Sequence, residues 1–579
     1  MSKYFNRAII GNSKILACLD EKAELIRLYY PHIDYLQNVD IYKLGFVRNN
    51  KVNWFSDAEL INQYYDGNIV MTKLRYDDTD ILIRDYILLE KNVMVRKIKF
   101  NQLTNLMIYS KLKSSPDKLI SGMLVKDSLI QYCPDLYMST FSNRKVEKAQ
   151  INNVQTVLKH ADLKLEDYIG MSDNSAVMLE AEKEVVIYIT LEKELKKAFE
   201  SIDFMRKQNE ESLYQETKKY WREYSEKYLN KYIGDSKFSN REIDIIERTI
   251  LMYALLADKE TGAVLASPDV DENFTRCGRY GYCWPRDALF INEALLELGM
   301  TELVDKFYNV WAEKTQLTNG LFEQRYYSNG ELAPSWGIQI DETASIIIGI
   351  GKLKDPKKYK DVVSKAVFGL ISFLNHDFIS KPCFDLWEER KGSHLYSTAS
   401  IYEALKVARR ILKEFEDCEF LVTEIDLLLP AIKEGIKKNF IEKKKMKRST
   451  EDDTTDISNL AVTVPFEVFD VEEEEVKNTV EEIENKLKLK NGGYLRYSGD
   501  NYIGGNAWII ASLWLAMYYI KAGKQERAIE LYNWVTNHAD DKGFLPEQID
   551  KETGKTAWIT QLSWSHALYI IVGKMLKGK

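Results

Sequence analysis

The chain has 579 residues, too many for a single hydrophobic core, so we expect at least two domains. Hydrophobic residues make up 45% and charged residues 29%, an ordinary composition for a soluble globular protein. The formal net charge of −8 argues against a nucleic-acid partner and against an anionic membrane surface. Aromatic residues reach 12%, with 35 Tyr and 11 Trp, and such an excess favours a polar cleft in which flat rings stack on sugars.

The six cysteines are scattered and show no CxxC spacing, which indicates reduced thiols rather than a disulfide framework. The first residues contain no apolar segment of the kind found in a signal peptide. The most apolar stretch, residues 507–520, is shorter than the roughly 20 residues that span a bilayer. We therefore expect a cytoplasmic protein without a membrane segment.

The first third of the chain predicts an antiparallel β-sandwich, assigned to residues 1–205. Short segments of apolar alternation, such as 23–30, 81–89 and 93–100, are separated by clusters of turn residues. Many short strands without intervening helices are typical of a sandwich. Residues 206–238 are rich in Glu, Lys, Tyr and Gln and predict a polar linker helix.

Residues 239–579 predict a helical domain, because the apolar spacing is mostly that of helices. Twelve helices are expected near 240–258, 287–299, 302–315, 341–352, 356–376, 397–414, 417–440, 457–463, 472–487, 506–522, 524–538 and 561–576. Short connections alternate with long, aromatic-rich loops, which indicates an (α/α)6 toroid with its long loops on one face. Functional residues lie preferentially on such loops.

Two motifs on these loops combine charged and aromatic residues. Residues 282–287 read Tyr-Cys-Trp-Pro-Arg-Asp and place Arg286 and Asp287 at the start of a helix. The pair could bind sugar hydroxyls, or it could be a helix cap with a neighbouring ion pair. Residues 384–390 read Phe-Asp-Leu-Trp-Glu-Glu-Arg, in which a carboxyl packed against a ring would have a raised pKa and could donate a proton. A surface acidic turn paired with Arg390 is the alternative.

Three further segments carry weaker signals. Residues 543–548, Gly-Phe-Leu-Pro-Glu-Gln, place Glu547 on a constrained turn ahead of the last helix, where it could activate water or be an ordinary turn residue. Residues 492–508 combine glycines, which permit close approach of the backbone, with Arg496 and Asp500. Residues 335–342 contain Trp336 together with two acidic residues, and either of the last two segments could be a structural hairpin.

Taken together and in this order, the motifs resemble those of the glucoamylase family, glycoside hydrolase family 15. The resemblance covers nearly the whole chain, since the opening residues also resemble the β-sandwich of bacterial and archaeal members. Ala507 stands where proline is common in the family, which affects the subsites for the leaving sugar. The matching elements are Tyr-x-Trp-x-Arg-Asp at 282–287, Trp-Gly…Gln-x-Asp at 336–341, Asp-Leu-Trp-Glu-Glu at 385–389, Arg-Tyr…Gly-Asn-x-Trp at 496–508, Glu-Gln at 547–548 and Trp-Ser at 564–565.

The resemblance implies Glu388 as general acid and Glu547 as general base. It also implies that configuration inverts, because inverting glycosidases hold their carboxyls about 6.5–9.5 Å apart with a water between them. We further expect that burial against Trp387 raises the pKa of Glu388, while Glu547 stays ionised. The implied sugar-binding residues are Arg286 and Asp287 at the non-reducing end, Arg496 and Glu389 around the scissile bond, and Trp284, Trp336 and Trp387 along the cleft.

The expected activity is exo-acting release of β-glucose from α-linked gluco-oligosaccharides. Trehalose and α-1,6-linked isomaltooligosaccharides are alternative substrates within the same family. Two other classes of protein stay open, an inverting disaccharide phosphorylase and a non-catalytic carbohydrate-binding protein, and Glu547 argues against both. The six histidines show no metal spacing and there is no HExxH or phosphate loop, so neither a cofactor nor a metal is expected. The sequence gives no basis for an oligomeric state.

Overall fold

A computed structural model describes residues 6–113, 119–152, 154, 169–268 and 278–578. The chain divides into two compact units, residues 1–227 with 254–256, and residues 228–253 with 257–579. The first unit is an antiparallel β-sandwich and the second is helical, which confirms the predicted fold class. The boundary at 227/228 lies inside a continuous helix, so the predicted linker is shared between the units and is not a separate body.

Two sheets form the sandwich and share one long strand. In chain order the described strands are β1 Ala8–Gly11, β2 Leu16–Leu19, β3 Leu25–His32, β4 Tyr35–Gln37, β5 Val39–Arg48, β6 Lys51–Trp54, β7 Glu59–Asp66, β8 Ile69–Tyr76, β9 Thr79–Ile87, β10 Val93–Leu112, β11 Ser121–Val125, β12 Ser128–Cys133, β13 Leu136–Ser142, β14 Val146–Ile151, β15 Ile169–Met171, β16 Asn174–Leu179 and β17 Glu182–Glu192. The first half of β10 pairs with β9 and β17, and its second half pairs with β5 and β16.

The apolar side chains on both faces of β10 explain why its first half lies between two partner strands. Met94 and Ile98 face the large core between the sheets, whereas Val93 and Val95 belong to a separate cluster on the other face. A strand that is apolar on both faces is stable only when both faces are covered. The first half of β10 therefore lies inside the unit and not at an edge.

Fourteen α-helical segments are described along the chain. They are α1 Leu195–Met205, α2 Glu210–Ile233, α3 Asn240–Leu256, α4 Pro285–Leu298, α5 Thr301–Lys306, α6 Glu313–Thr315, α7 Ile340–Ile350, α8 Lys360–Ser372, α9 Leu395–Leu412, α10 Glu419–Phe440, α11 Glu474–Lys486, α12 Ile509–Lys521, α13 Gln525–His538 and α14 Ser563–Lys577. A π-helical turn, Phe307–Ala312, joins α5 to α6, and residues Ile457–Val462 form a 3₁₀ helix. Every helix expected from the sequence is present, the eighth as this 3₁₀ segment.

Six of these segments form a closed inner ring. Helix α4 packs on α7, α7 on α9, α9 on the 3₁₀ segment, that segment on α12, α12 on α14, and α14 on α4. All of α7 and nearly all of α4 and α14 are buried, as expected for helices that are apolar all round. Outside the ring, α8 and α10 pack on α9, and α13 packs on α12 and α14.

No described helix combines the length and apolarity needed to cross a bilayer.

Candidate active site

A cavity of about 250 Å³ lies where the inner helices begin. Its walls come from the segments that precede α4, α7, α9, α12 and α14 and from the first residues of some of these helices. The structure brings all nine sequence-predicted site residues to this one cavity: Trp284, Arg286, Asp287, Trp336, Trp387, Glu388, Glu389, Arg496 and Glu547. The long loops thus converge as the toroid prediction requires.

Glu388 lies on a tight turn before α9. Its backbone N–H donates to the Asp385 carbonyl over 2.9 Å, and its φ of 63° lies in the left-handed region that non-glycine residues rarely adopt. The turn directs the carboxyl into the cavity, where Oε1 accepts a 2.7 Å hydrogen bond from Trp284 Nε1 and lies 3.4 Å from Arg286 Nη2. Burial raises the pKa of Glu388 above its ordinary value, although Arg286 and Arg325 oppose the rise.

The ring that hydrogen-bonds to the Glu388 carboxyl is that of Trp284, whereas the sequence suggested Trp387. The Trp387 indole N–H donates instead to Asp456, at 3.2 and 3.1 Å from the two carboxyl oxygens. Trp387 also packs at 5.9 Å from Trp508, so it forms a fixed part of the wall. The pKa of Glu388 is raised, as expected, but the ring that hydrogen-bonds to the carboxyl is Trp284 and not Trp387.

Arg286 is held chiefly by two carboxylates at the start of α7. Its Nη1 lies 3.1 Å from Asp341 and 3.0 Å from Glu342, and its backbone N–H donates to Glu342 over 2.6 Å. Asp287 is farther away, 3.9 Å from Arg286 Nε, so the expected Arg–Asp pair is looser than the sequence suggested. Burial, reinforced by Glu388 and opposed by Arg286, raises the pKa of Asp287 to about 7. The Asp287 carboxyl lines the cavity and is placed to meet a hydroxyl group.

Glu547 is a buried residue of the cavity lining. Tyr280 donates its hydroxyl to Glu547 Oε1 over 2.8 Å, and Gln548 donates to Oε2 over 3.2 Å. Burial raises the pKa of Glu547 to about 7, since the desolvation cost exceeds the stabilisation by Tyr280 and Arg496. This direction opposes the expectation that Glu547 stays ionised.

The turn that carries Glu547 is fixed by the first turn of α14. His566 Nε2 accepts the Leu545 N–H over 2.9 Å, and Nδ1 lies 2.7 Å from the Thr249 hydroxyl. Burial lowers the pKa of His566 to about 3, so the ring is neutral and can accept that N–H. The Ser565 hydroxyl donates to the carbonyl of Pro546 over 2.8 Å. The Trp-Ser-His sequence therefore positions the carboxyl through its neighbours.

Arg496 and Glu389 form a connected wall. Arg496 Nη2 donates to Glu389 over 2.7 Å, and its Nε and Nη2 donate to Asp500 at 2.9 Å each. Tyr497 donates to the other Glu389 oxygen over 2.6 Å, and the guanidinium lies 4.5 Å from the Trp508 ring centroid. Both residues reach the cavity, but each is already paired with protein groups.

Trp336 marks the rim of the cavity, because 43% of its surface is exposed. The Arg325 guanidinium stacks at 4.2 Å from its ring centroid. An exposed, braced ring of this kind is suited to stacking on a sugar face.

Sequence reasoning missed Tyr280 and Arg325. Tyr280 lies six residues before Arg286, in a loop that already carried a motif, and its distance from Glu547 in the chain concealed the hydrogen bond. Arg325 is a single cation in a Gln-Arg-Tyr segment without any recognisable pattern. Trp508 and Trp564 lay within motifs but had no role assigned, and both line the cavity.

A closed ring of helices with two buried carboxyls facing an aromatic cavity defines a carbohydrate-cleaving enzyme. The family model "Glycosyl hydrolases family 15" matches residues 240–574, and the chain belongs to that family. The similarity extends over the whole chain to an uncharacterized glycosyl hydrolase of Methanocaldococcus jannaschii, MJ1610, which is 26% identical and matched over 97% of both chains.

More distant relatives have named activities. The isomaltose glucohydrolase of Kribbella flavida is 22% identical, over 51% of this chain and 85% of its own. Trehalase 1 of Sulfolobus acidocaldarius is 25% identical, over 60% of this chain and 66% of its own. Among solved structures, a bacterial glucoamylase complexed with acarbose superposes with a TM-score of 0.84 at 18% identity, covering 99% of this chain and 94% of that one. This last similarity shows that the two-domain fold is shared.

Proposed function

We propose that the protein is an inverting, exo-acting glycoside hydrolase that releases β-glucose from the non-reducing ends of α-linked gluco-oligosaccharides. The proposal is carried by one observation: Glu388 and Glu547 are two buried carboxyls with separate hydrogen-bond partners on one cavity. Two such groups can divide the roles of acid and base in cleaving a glycosidic bond.

Glu388 donates its proton to the glycosidic oxygen, and the bond from that oxygen to the anomeric carbon breaks. The bonding electrons remain on the departing sugar. Glu547 takes a proton from a water molecule, whose oxygen forms the new bond to the anomeric carbon on the opposite face. Positive charge develops on the sugar in this step, and the resulting attraction favours the ionised form of the Glu547 carboxyl in the transition state.

The depth of the cavity supports exo action. Arg286 is 3% and Asp287 is 7% exposed, whereas Trp336 at the rim is 43% exposed. A terminal glucose would therefore meet a closed wall formed by Arg286 and Asp287, and the remainder of the substrate would lie toward Trp336. This difference in exposure favours the binding of a chain end over an internal segment.

The linkage that the protein cleaves stays open among α-1,4, α-1,6 and trehalose, since its relatives include an isomaltose glucohydrolase and a trehalase. The protein is proposed to act in the cytoplasm, on maltooligosaccharides first and on isomaltooligosaccharides or trehalose as alternatives. A phosphorylase would have no need of Glu547, because phosphate replaces the activated water. The buried Glu547 with its Tyr280 partner favours hydrolysis.

The purified protein should be incubated with maltose, maltotetraose, isomaltose and trehalose, and the first anomer released followed by proton NMR. We expect β-glucose to form first on at least one of these substrates. Initial α-glucose would show retention and overturn the inverting mechanism. Glucose 1-phosphate formed only when phosphate is added would identify a phosphorylase, and failure to cleave any substrate would indicate a binding protein.

We expect kcat/KM to fall as the pH drops below about 7. Glu547 must be ionised to accept the proton of water, and burial raises its pKa to about 7, so acid converts it to the inactive form. The check is kcat/KM over about three pH units on either side of neutrality at constant ionic strength, with thermal unfolding as the control. An unchanged kcat/KM two units below neutrality would contradict this expectation.

A further inference from the structure

Arg325 lies in the cavity wall on the segment before α7, and its side chain is almost completely buried. Its Nε donates to the Pro334 carbonyl over 2.7 Å, which fixes the plane of the guanidinium. The guanidinium lies 4.2 Å from the Trp336 ring centroid and 4.7 Å from that of Tyr282. These contacts hold the positive charge at one place in the wall.

Arg325 differs from Arg286 and Arg496, two of the other arginines that line this cavity. Arg286 contacts the carboxylates of Asp341 and Glu342, and Arg496 contacts two others. Within the described ranges no carboxylate lies at ion-pair distance from Arg325, which bonds to backbone carbonyls only. A buried cation without a counter-ion is costly, and burial lowers the pKa of Arg325. Such a group is retained where its charge has a use.

Arg325 and Glu388 both line the cavity; burial raises the pKa of Glu388, and the charges of Arg286 and Arg325 oppose that rise. The Trp284 ring contacts both groups, since its centroid is 5.4 Å from the guanidinium and its Nε1 donates to Glu388. The other charged groups facing Glu388 are Arg286, at 3.4 Å, and Asp287. Arg286 also contacts Asp341 and Glu342, whereas among the described residues no carboxylate lies at ion-pair distance from Arg325.

We propose that Arg325 is a positioning residue for the acid step: it stabilises the carboxylate that Glu388 becomes when its proton moves to the departing sugar. This inference rests on the proposed function, in which Glu388 is the acid. In the step, the Glu388 O–H bond breaks, an O–H bond forms on the glycosidic oxygen, and Arg325 keeps its own protons. The negative charge on Glu388 exists only after proton transfer begins, so the attraction favours the transition state over the ground state.

The test compares Arg325→Met with wild type on two substrates. One is the disaccharide that the wild-type protein cleaves fastest in the substrate test proposed above, whose leaving sugar needs the proton. The other is α-D-glucosyl fluoride, whose fluoride leaves with little help from an acid. We expect kcat to fall about tenfold or more on the disaccharide and less than about threefold on the fluoride. The alkaline limb of kcat/KM should move to higher pH, because removing a nearby cation weakens the acid and keeps it protonated for longer.

Arg325→Lys keeps the charge and should recover part of the loss on the disaccharide. Thermal unfolding of both variants identifies a folding defect, and the substrate comparison is read only from folded protein. Equal losses on both substrates would show that Arg325 merely braces Trp336, and an unchanged disaccharide rate would show no role; either result overturns the inference. Both results leave the proposed function standing, which fails instead if Glu388→Gln retains wild-type activity.

Discussion

Glu388→Gln is expected to lower kcat on α-linked disaccharides by about 10³-fold while leaving α-D-glucosyl fluoride hydrolysis within about tenfold of wild type. The glutamine keeps the size of the side chain and an oxygen for the Trp284 N–H, but it has no proton to donate. A poor leaving group such as a sugar alkoxide depends on that proton, whereas fluoride does not. Steady-state kinetics on both substrates measure the ratio directly.

Glu331→Gln is a matched control, because Glu331 is an exposed glutamate of the same unit outside the cavity. It should keep wild-type kinetics on both substrates. If Glu388→Gln lost both activities equally, the residue would be required for binding or for the fold, and another acid would have to be sought. Near wild-type activity on disaccharides would remove Glu388 from the mechanism.

Glu547→Gln is expected to lower kcat by about 10²–10⁴-fold on disaccharides and on α-D-glucosyl fluoride alike. Water must attack the anomeric carbon whichever group leaves, so loss of the base affects both reactions. The introduced amide can still accept the Tyr280 hydroxyl, and the substitution therefore removes the base without removing that contact. The KM values should change much less than kcat, because the carboxyl acts on water and not on the ground-state sugar.

Glu552 provides the control, since it is an exposed glutamate on the same loop. Glu552→Gln should leave both rates unchanged. A Glu547→Gln variant that spared the fluoride reaction would exchange the roles of the two carboxyls. A variant whose only change was a raised KM would assign Glu547 to substrate binding.

Most of the architecture could be predicted from the chain. The alternation of apolar residues in segments such as 93–100 identified strands, and the helical spacing after residue 239 identified all the helices of the ring. The boundary between the units could not be predicted, because Glu210–Ile233 is one continuous helix with a uniform polar composition. A boundary set by packing leaves no mark in the local sequence of such a helix.

The sequence predicted which residues lie in the candidate site better than it predicted the contacts that they make. Motifs such as 282–287 and 385–389, with the family resemblance, identified nine of the residues that line the cavity. The sequence wrongly paired Glu388 with its neighbour Trp387, because adjacency along a chain suggests adjacency in space. The tight turn at Glu388 instead directs the carboxyl toward Trp284, 104 residues earlier.

The sequence by itself determined which residues are chemically equipped for the site, because motifs and periodicity are local properties. Only the tertiary structure decided the burial of each group and the charges that lie near it. Closure of the helical ring brings Tyr280 to Glu547, 267 residues away, and buries Glu547 deeply enough to raise its pKa to about 7. It also brings Arg325 and Glu388 to the same cavity, with no carboxylate at ion-pair distance from Arg325 among the described residues. Burial and long-range electrostatics depend on the whole packed domain, so no short stretch of sequence encodes them.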